Sequence, residues 1–264
     1  MGYADVNGLS LYFEESGDGE IPLVLLHGGL GSGEMFAPIL PALAEKRRVV
    51  TVDLQGHGRT ADADRPFRPE TMAEDVAALA GRLGAERIDL LGYSLGGEVA
   101  LRTAIQHPDV VRRLVLVSVT FRRDGNFPEV LAAMDGFGPH LAEPFKQSPV
   151  YESYARLAPR PDDWPALIAK TAELLGKDYD WTAEVAELRP PTLLVFADAD
   201  SIRPEHVLEF HRLLGGGLRD PGVDGADRPA SRLAIIPGAT HYDVAASPLL
   251  PAVVTPFLDA PALP

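Results

Sequence analysis

Ser94 stands between two glycines in Gly92-Tyr93-Ser94-Leu95-Gly96-Gly97, and the residues on its two sides follow incompatible patterns. Residues 88–91 form a short apolar run suited to a strand covered on both faces, whereas Leu95, Val99, Leu101 and Ile105 recur at helical spacing. A chain that passes from strand to helix across one residue must bend sharply, and glycine two positions away on either side removes side chains that would collide there. The bend lifts a hydroxyl above the end of a sheet, beside the first free N–H groups of a helix. That is a place for a nucleophile and an oxyanion. A serine hydroxyl is a weak nucleophile at neutral pH, so the chemistry also requires a base, an acid to orient the base, and a second oxyanion donor.

Each has a candidate. His241 follows the last apolar strand, in Pro237-Gly238-Ala239-Thr240-His241. Asp198 and Asp200 both follow the preceding strand, residues 192–197. The turn His27-Gly28-Gly29-Leu30-Gly31-Ser32-Gly33 follows the apolar strand 23–26, and so many glycines after a buried strand imply close approach of the backbone to something. Neither the GxxxxGK[ST] nor the GxGxxG pattern is present, so N–H groups offered to an oxyanion fit better than a phosphate cradle. Nucleophile, then carboxylate, then histidine is one of the known chain orders of the Ser-His-Asp arrangement.

The elements that must position these residues are legible around them. A hairpin is expected over residues 3–6 and 9–14, turning at Asn7-Gly8, a pair that accepts positive φ. A helix over residues 35–45, a strand over 49–52 and a helix from a Thr71 cap to about Leu83, stopped by Gly84, come next. After the Ser94 bend and its helix, Pro108 breaks the pattern and 114–117 gives another buried strand. This alternation implies a mostly parallel, doubly wound α/β sheet. From residue 120 to 189 the alternation lapses into short helical pieces, prolines and aromatics. One helix there is clear, with Asp162 as cap, Pro165 in the first turn and Gly176 as stop. An insertion leaving the carboxyl end of a strand sits over the crevice where such sheets bind ligands, so 120–189 reads as a lid, with 1–119 and 190–264 as the core. A strand over 232–236 and a helix near 249–258 complete the chain. The loop 215–231 carries Asp220, Asp224 and Asp227, but their spacing does not fit a calcium loop and solvated chain is the better reading.

Composition narrows the function classes. With 264 residues the chain fits one sizeable α/β domain, and a formal net charge of -14 argues against nucleic acid and anionic membranes as partners. There is no cysteine, which excludes disulfides, a thiol nucleophile and thiolate zinc sites. No signal peptide and no apolar run of the roughly 20 residues needed to span a bilayer is seen, so a cytoplasmic location is expected.

Six motifs in order, His27-Gly28-Gly29, Asp53-x-x-Gly56-His57-Gly58, Gly92-x-Ser94-x-Gly96-Gly97, His107-Pro108, Asp198-x-Asp200 and Gly238-x-x-His241, give a chain that resembles the α/β-hydrolase superfamily, in particular its lidded serine-esterase branch. The resemblance implies Ser94 as nucleophile, His241 as base and Asp200, rather than Asp198, as the acid. It implies an oxyanion hole from the N–H groups of Leu95 and Gly29, with Leu30 as the alternative to Gly29. His27 and His57 are implied as loop-holding residues, and no cofactor or metal is implied. Gln55 and Thr60 stand where many relatives have Pro and Ser. Ser94 in place of an aspartate argues against a dehalogenase. The expected substrate is a small hydrophobic ester or lactone, in a pocket expected to be lined by Leu30, Tyr93, Phe121, Phe137 and Trp164. The same arrangement serves carbon–carbon bond hydrolysis and cofactor-free perhydrolysis, and a small-molecule receptor using the pocket is the reading from another class.

Overall fold

The computed structural model describes residues 1–261. Strands β1 (Gly2–Val6) and β2 (Leu9–Ser16) form the expected hairpin, with Asn7 and Gly8 at φ 47 and 79. After β3 (Leu23–Leu26) the single helix expected over 35–45 is replaced by a 3-10 turn at Gly33–Phe36 and a short α1 (Leu40–Ala44). Pro38 and Pro41 supply no N–H to a continuous helix, which accounts for the interruption. Next come β4 (Val49–Val52) and α2 (Pro69–Arg82). The latter starts ahead of Thr71, because Pro69 in the first turn loses no hydrogen bond and Arg68 takes the cap position.

The elbow strand β5 (Ile88–Tyr93) leads into α3 (Leu95–Gln106), and β6 (Val111–Val117) follows. The segment between β6 and β7 contains only helices: α4 (Pro128–Gly136), α5 (Ala142–Phe145), α6 (Pro149–Leu157), α7 (Trp164–Leu175) and α8 (Thr182–Ala186), with short 3-10 turns between them. In α7 the cap position falls on Asp163 rather than Asp162, without a side-chain capping bond. The chain ends with β7 (Thr192–Ala199), α9 (Pro204–Leu213), β8 (Arg232–Thr240) and α10 (Leu249–Leu258).

All eight strands form one sheet in the order β1-β2-β4-β3-β5-β6-β7-β8. It is parallel from β4 across to β8, while β2 runs antiparallel to both β1 and β4. Alternate residues of β3 feed the two faces. Val24 and Leu26 join the layer containing Val99 and Leu101 of α3 and Val76 of α2, and Leu23 and Leu25 join the layer containing Leu43 of α1 and Val254 of α10. Burial on both faces is what makes the central strands read as continuous apolar runs. The consequence for function is positional: β3, β5, β7 and β8 all deliver their carboxyl ends to the same edge of the sheet.

The helical segment is tied to that edge. The amide of Phe127 donates to the Ser201 carbonyl and that of Arg203 to the Gly125 carbonyl, so the chain leaving β6 is stitched to the loop after β7. Among the described residues no helix is long and apolar enough to cross a membrane.

Candidate active site

Ser94 is held at φ 50, ψ -120, a conformation that an L-residue adopts only under strain. The glycines around it are there for space. A Cβ on Gly92 would overlap the Gly96 carbonyl, and one on Gly96 would overlap the carbonyls of Leu26 and His27 at the end of β3. The elbow is therefore a close stack of three backbone segments, with the serine hydroxyl at its apex.

The His241 ring reaches this hydroxyl from the loop after β8. Its Nε2 lies 3.2 Å from Ser94 Oγ and its Nδ1 lies 3.0 Å from Asp200 Oδ1. Asp200 is buried at the end of β7 and is fully engaged. It accepts from Ser118 Oγ at 2.5 Å, from the Ala197 amide at 3.0 Å and from the Ser201 amide at 2.8 Å. Burial alone would raise its pKa, but the hydrogen bonds from His241, Ser118 and Ala197 outweigh it and hold the carboxyl below its ordinary value. A carboxylate so fixed can present only one oxygen to the imidazole, which selects the tautomer with the proton on Nδ1 and leaves Nε2 free to accept from the serine. Tyr93, directly before Ser94, donates its phenol to the His241 carbonyl at 2.6 Å and so holds the histidine loop against the elbow.

Asp198 has a different place. It is exposed and accepts from the Ala239 amide at 3.2 Å, bracing the β8 loop rather than meeting His241. His27 and His57 are buried with their rings turned into the loops: His27 Nε2 accepts from the Leu54 amide, and His57 Nδ1 donates to the Gln55 carbonyl. His206 is also buried, accepts from the Phe121 amide and stacks on the Phe121 ring at 4.1 Å.

The Gly28-Gly29 turn passes close beside Ser94. A Cβ on Gly28 would lie 2.7 Å from the Tyr93 ring, and one on Gly29 would touch Leu95 at 4.0 Å. Among the described residues the N–H groups of Gly29, Leu30 and Leu95 donate to no protein acceptor, and all three residues line the cavity beside Ser94. Backbone donors left free beside a nucleophile are the elements of an oxyanion hole. Among the described residues no group of three or more His, Asp or Glu is gathered to hold a metal ion.

Ser94 and His241 form part of the wall of a cavity of about 540 Å³ between the sheet edge and the helical segment. Of the residues expected in a pocket, Leu30, Tyr93 and Phe137 line this cavity, together with Met134, Val150, Leu174, Leu175 and Tyr242. Phe121 and Trp164 do not, which corrects the expected pocket. Phe121 is fully buried against His206 and Phe210, and Trp164 is the hub of the helical segment, packed by Tyr151 and Tyr154 with its indole N–H donating to the Ala142 carbonyl at 2.8 Å. The largest aromatics fill the interior of the segment because they bury the most area there. The wall also holds two polar residues, Glu98 and Tyr179, outside the motifs. Glu98 stands four positions after Ser94, on the same helical face, and that spacing is a signal for it. Ser118 is a further partner with little sequence signal beyond its place just after β6.

Comparison with known proteins agrees with this architecture. Residues 21–148 match the family model of the alpha/beta hydrolase fold. The chain is 36% identical over 222 residues to a pimeloyl-[acyl-carrier protein] methyl ester esterase of Aeromonas hydrophila, covering 75% of this chain and 84% of that one. It is 35% identical over 137 residues to a soluble epoxide hydrolase of Corynebacterium sp., a match that spans 51% of this chain but only 44% of that protein's length. The solved enol-lactonase of Burkholderia xenovorans superposes with a TM-score of 0.74 at 20% identity, covering 98% of this chain and 100% of that one, a likeness of fold. The chain belongs to the α/β-hydrolase family, with the mostly parallel eight-stranded sheet of that fold and relatives that are hydrolases.

Proposed function

We propose that the protein is a serine hydrolase of carboxylic esters or lactones with a small hydrophobic acyl or alcohol group. The reading is carried by the continuous hydrogen-bonded path from Ser94 Oγ through the His241 ring to Asp200, opening into a largely apolar cavity. In this reading His241 Nε2 takes the serine proton as Oγ bonds to the ester carbonyl carbon, and the carbonyl oxygen becomes an oxyanion held by the N–H groups of Gly29 and Leu95. Collapse breaks the bond to the alcohol, which leaves with the proton from His241. Water then attacks the acyl-enzyme by the same route, releasing the acid and free Ser94. Asp200 keeps the imidazole oriented and stabilises its protonated form. Residues 120–189 act as a lid that shields the cavity from solvent.

Support comes from the methyl ester esterase relative and from the enol-lactonase fold neighbour. The test is sustained turnover of a series of p-nitrophenyl esters of increasing acyl length, with lactones alongside. Multiple turnovers lost in Ser94→Ala support the reading. A ligand-induced thermal shift without turnover replaces it with a small-molecule receptor.

A further inference from the structure

Glu98 is the one acidic side chain on the first turns of the elbow helix, and its carboxyl faces the cavity. The rise of about 1.5 Å per residue puts it one turn, about 6 Å, along the helix from Ser94. One oxygen, Oε1, receives the Tyr179 hydroxyl at 3.1 Å, and Tyr179 in turn lies 2.6 Å from Thr120 Oγ1. A phenol has a single proton. With that proton spent on Glu98, Thr120 must donate to Tyr179, so the chain of donors runs from Thr120 through Tyr179 and ends at Glu98. Among the described residues Oε2 meets no protein donor. The cavity wall therefore holds a half-satisfied acceptor one helical turn from Ser94.

Resting on the ester-hydrolase reading above, we propose that Glu98 is a specificity-determining residue that selects substrates bearing, on the acyl part, a hydroxyl or N–H donor within hydrogen-bond reach of its carboxyl. The acyl side follows from the position of His241, which must protonate the departing alcohol and so faces it, whereas Glu98 bonds into the helical insertion and not to the His241 loop. A neutral donor fits better than an ammonium group because the charges of the wall already balance, Arg68, Arg123 and Lys177 standing against Glu70, Glu98 and Asp178. A site built to pair with a substrate hydroxyl rejects the analogue that lacks it, since the carboxyl is then left unpaired beneath the bound substrate.

The charge state of Glu98 gives a signature. Burial pushes its carboxyl up to about 7, with the Tyr179 hydrogen bond pulling it down and Glu70 of α2 pushing it further up. Tyr179, the other titratable group facing it, is raised far above neutrality by burial and by Glu98 itself, with Arg123 opposing the shift, and stays protonated. Above neutrality Glu98 is a carboxylate and its bond to a donor is charge-assisted, about twice as strong as the neutral bond it makes below.

The experiment compares kcat/KM for p-nitrophenyl 3-hydroxybutanoate and p-nitrophenyl 3-methylbutanoate, which differ by a hydroxyl in place of a methyl group. The ratio cancels protonation effects at Ser94 and His241, which act on both esters alike. Wild type is expected to favour the hydroxy ester by about tenfold or more at pH 8, falling severalfold at pH 6. Glu98→Gln should keep a smaller preference that does not change with pH, and Glu98→Leu should favour the methyl ester. An equal ratio in wild type and Glu98→Leu, or a wild-type preference for the methyl ester, overturns the proposal while leaving the hydrolase reading intact. If Glu98→Leu does not fold, a pH-dependent ratio in Glu98→Gln overturns it instead. Failure of wild type to turn over either ester removes the ester-hydrolase reading and this inference with it.

Discussion

The two sides of the cavity are built on different principles. The sheet edge is made of backbone: a strained serine, glycines packed against carbonyls, and loops whose N–H groups are left free. The helical segment opposite is made of side chains, with a buried Trp164 hub and a mixed apolar and polar inner wall. Backbone geometry tolerates few residue types, so the sheet edge writes itself into the sequence as fixed glycines at fixed spacing. Side-chain packing tolerates many solutions of equal volume, so the helical segment leaves only a statistical trace.

That difference predicts how each side responds to substitution. The largest effect is expected on the sheet edge, where His241→Ala should lower kcat by about 10^4-fold or more in an ester-turnover assay. Asp200→Asn should cost up to about 10^4-fold, because an amide no longer selects the working tautomer, while the circular-dichroism melt changes far less. In the helical segment the order inverts. Trp164→Ala should destabilise the protein by about 3–5 kcal/mol, read as a lower chemical-denaturation midpoint, with any KM change following from loss of the folded helical segment. Phe137→Ala, whose ring faces the cavity, should raise KM by up to about tenfold with little loss of stability. If Trp164→Ala shifted KM in a fully folded enzyme, the distinction between hub and wall would fail.

A smaller effect concerns the loops that hold His27 and His57. Burial pushes His27 down to about 4, and burial together with His27 pushes His57 down to about 3, so both are neutral in the fold. The unfolded chain takes up these protons near pH 6.5 and therefore binds more protons than the native state below that value. Stability should fall as pH drops from about 6.5 towards 4, by roughly 3 kcal/mol for each imidazole at most, and His57→Gln should flatten part of that slope in denaturation measured across the range.

The legibility of the molecule follows the same division. The mostly parallel sheet and the strand-to-helix bend at Ser94 were legible because each depends on strand ends and turns of restricted chemistry, whereas the order of the strands in the sheet had no sequence signal. Asp200 and Asp198 were separable only through the motif, yet their surroundings differ plainly, one buried under Ser118 and the other exposed on the β8 brace. Phe121 and Trp164 were misplaced because aromatic content marks burial without saying which side of a helix faces a cavity. The split of α1 and the early start of α2 were written in Pro38, Pro41 and Pro69, which act on single hydrogen bonds rather than on periodicity.

The central claim is that Ser94 forms the covalent intermediate. Intact-mass spectrometry after treatment with a fluorophosphonate should show a single adduct, mapped by peptide fragmentation to Ser94 and absent in Ser94→Ala, which should also lose p-nitrophenyl ester turnover. An adduct on another residue, or undiminished turnover in Ser94→Ala, would contradict it.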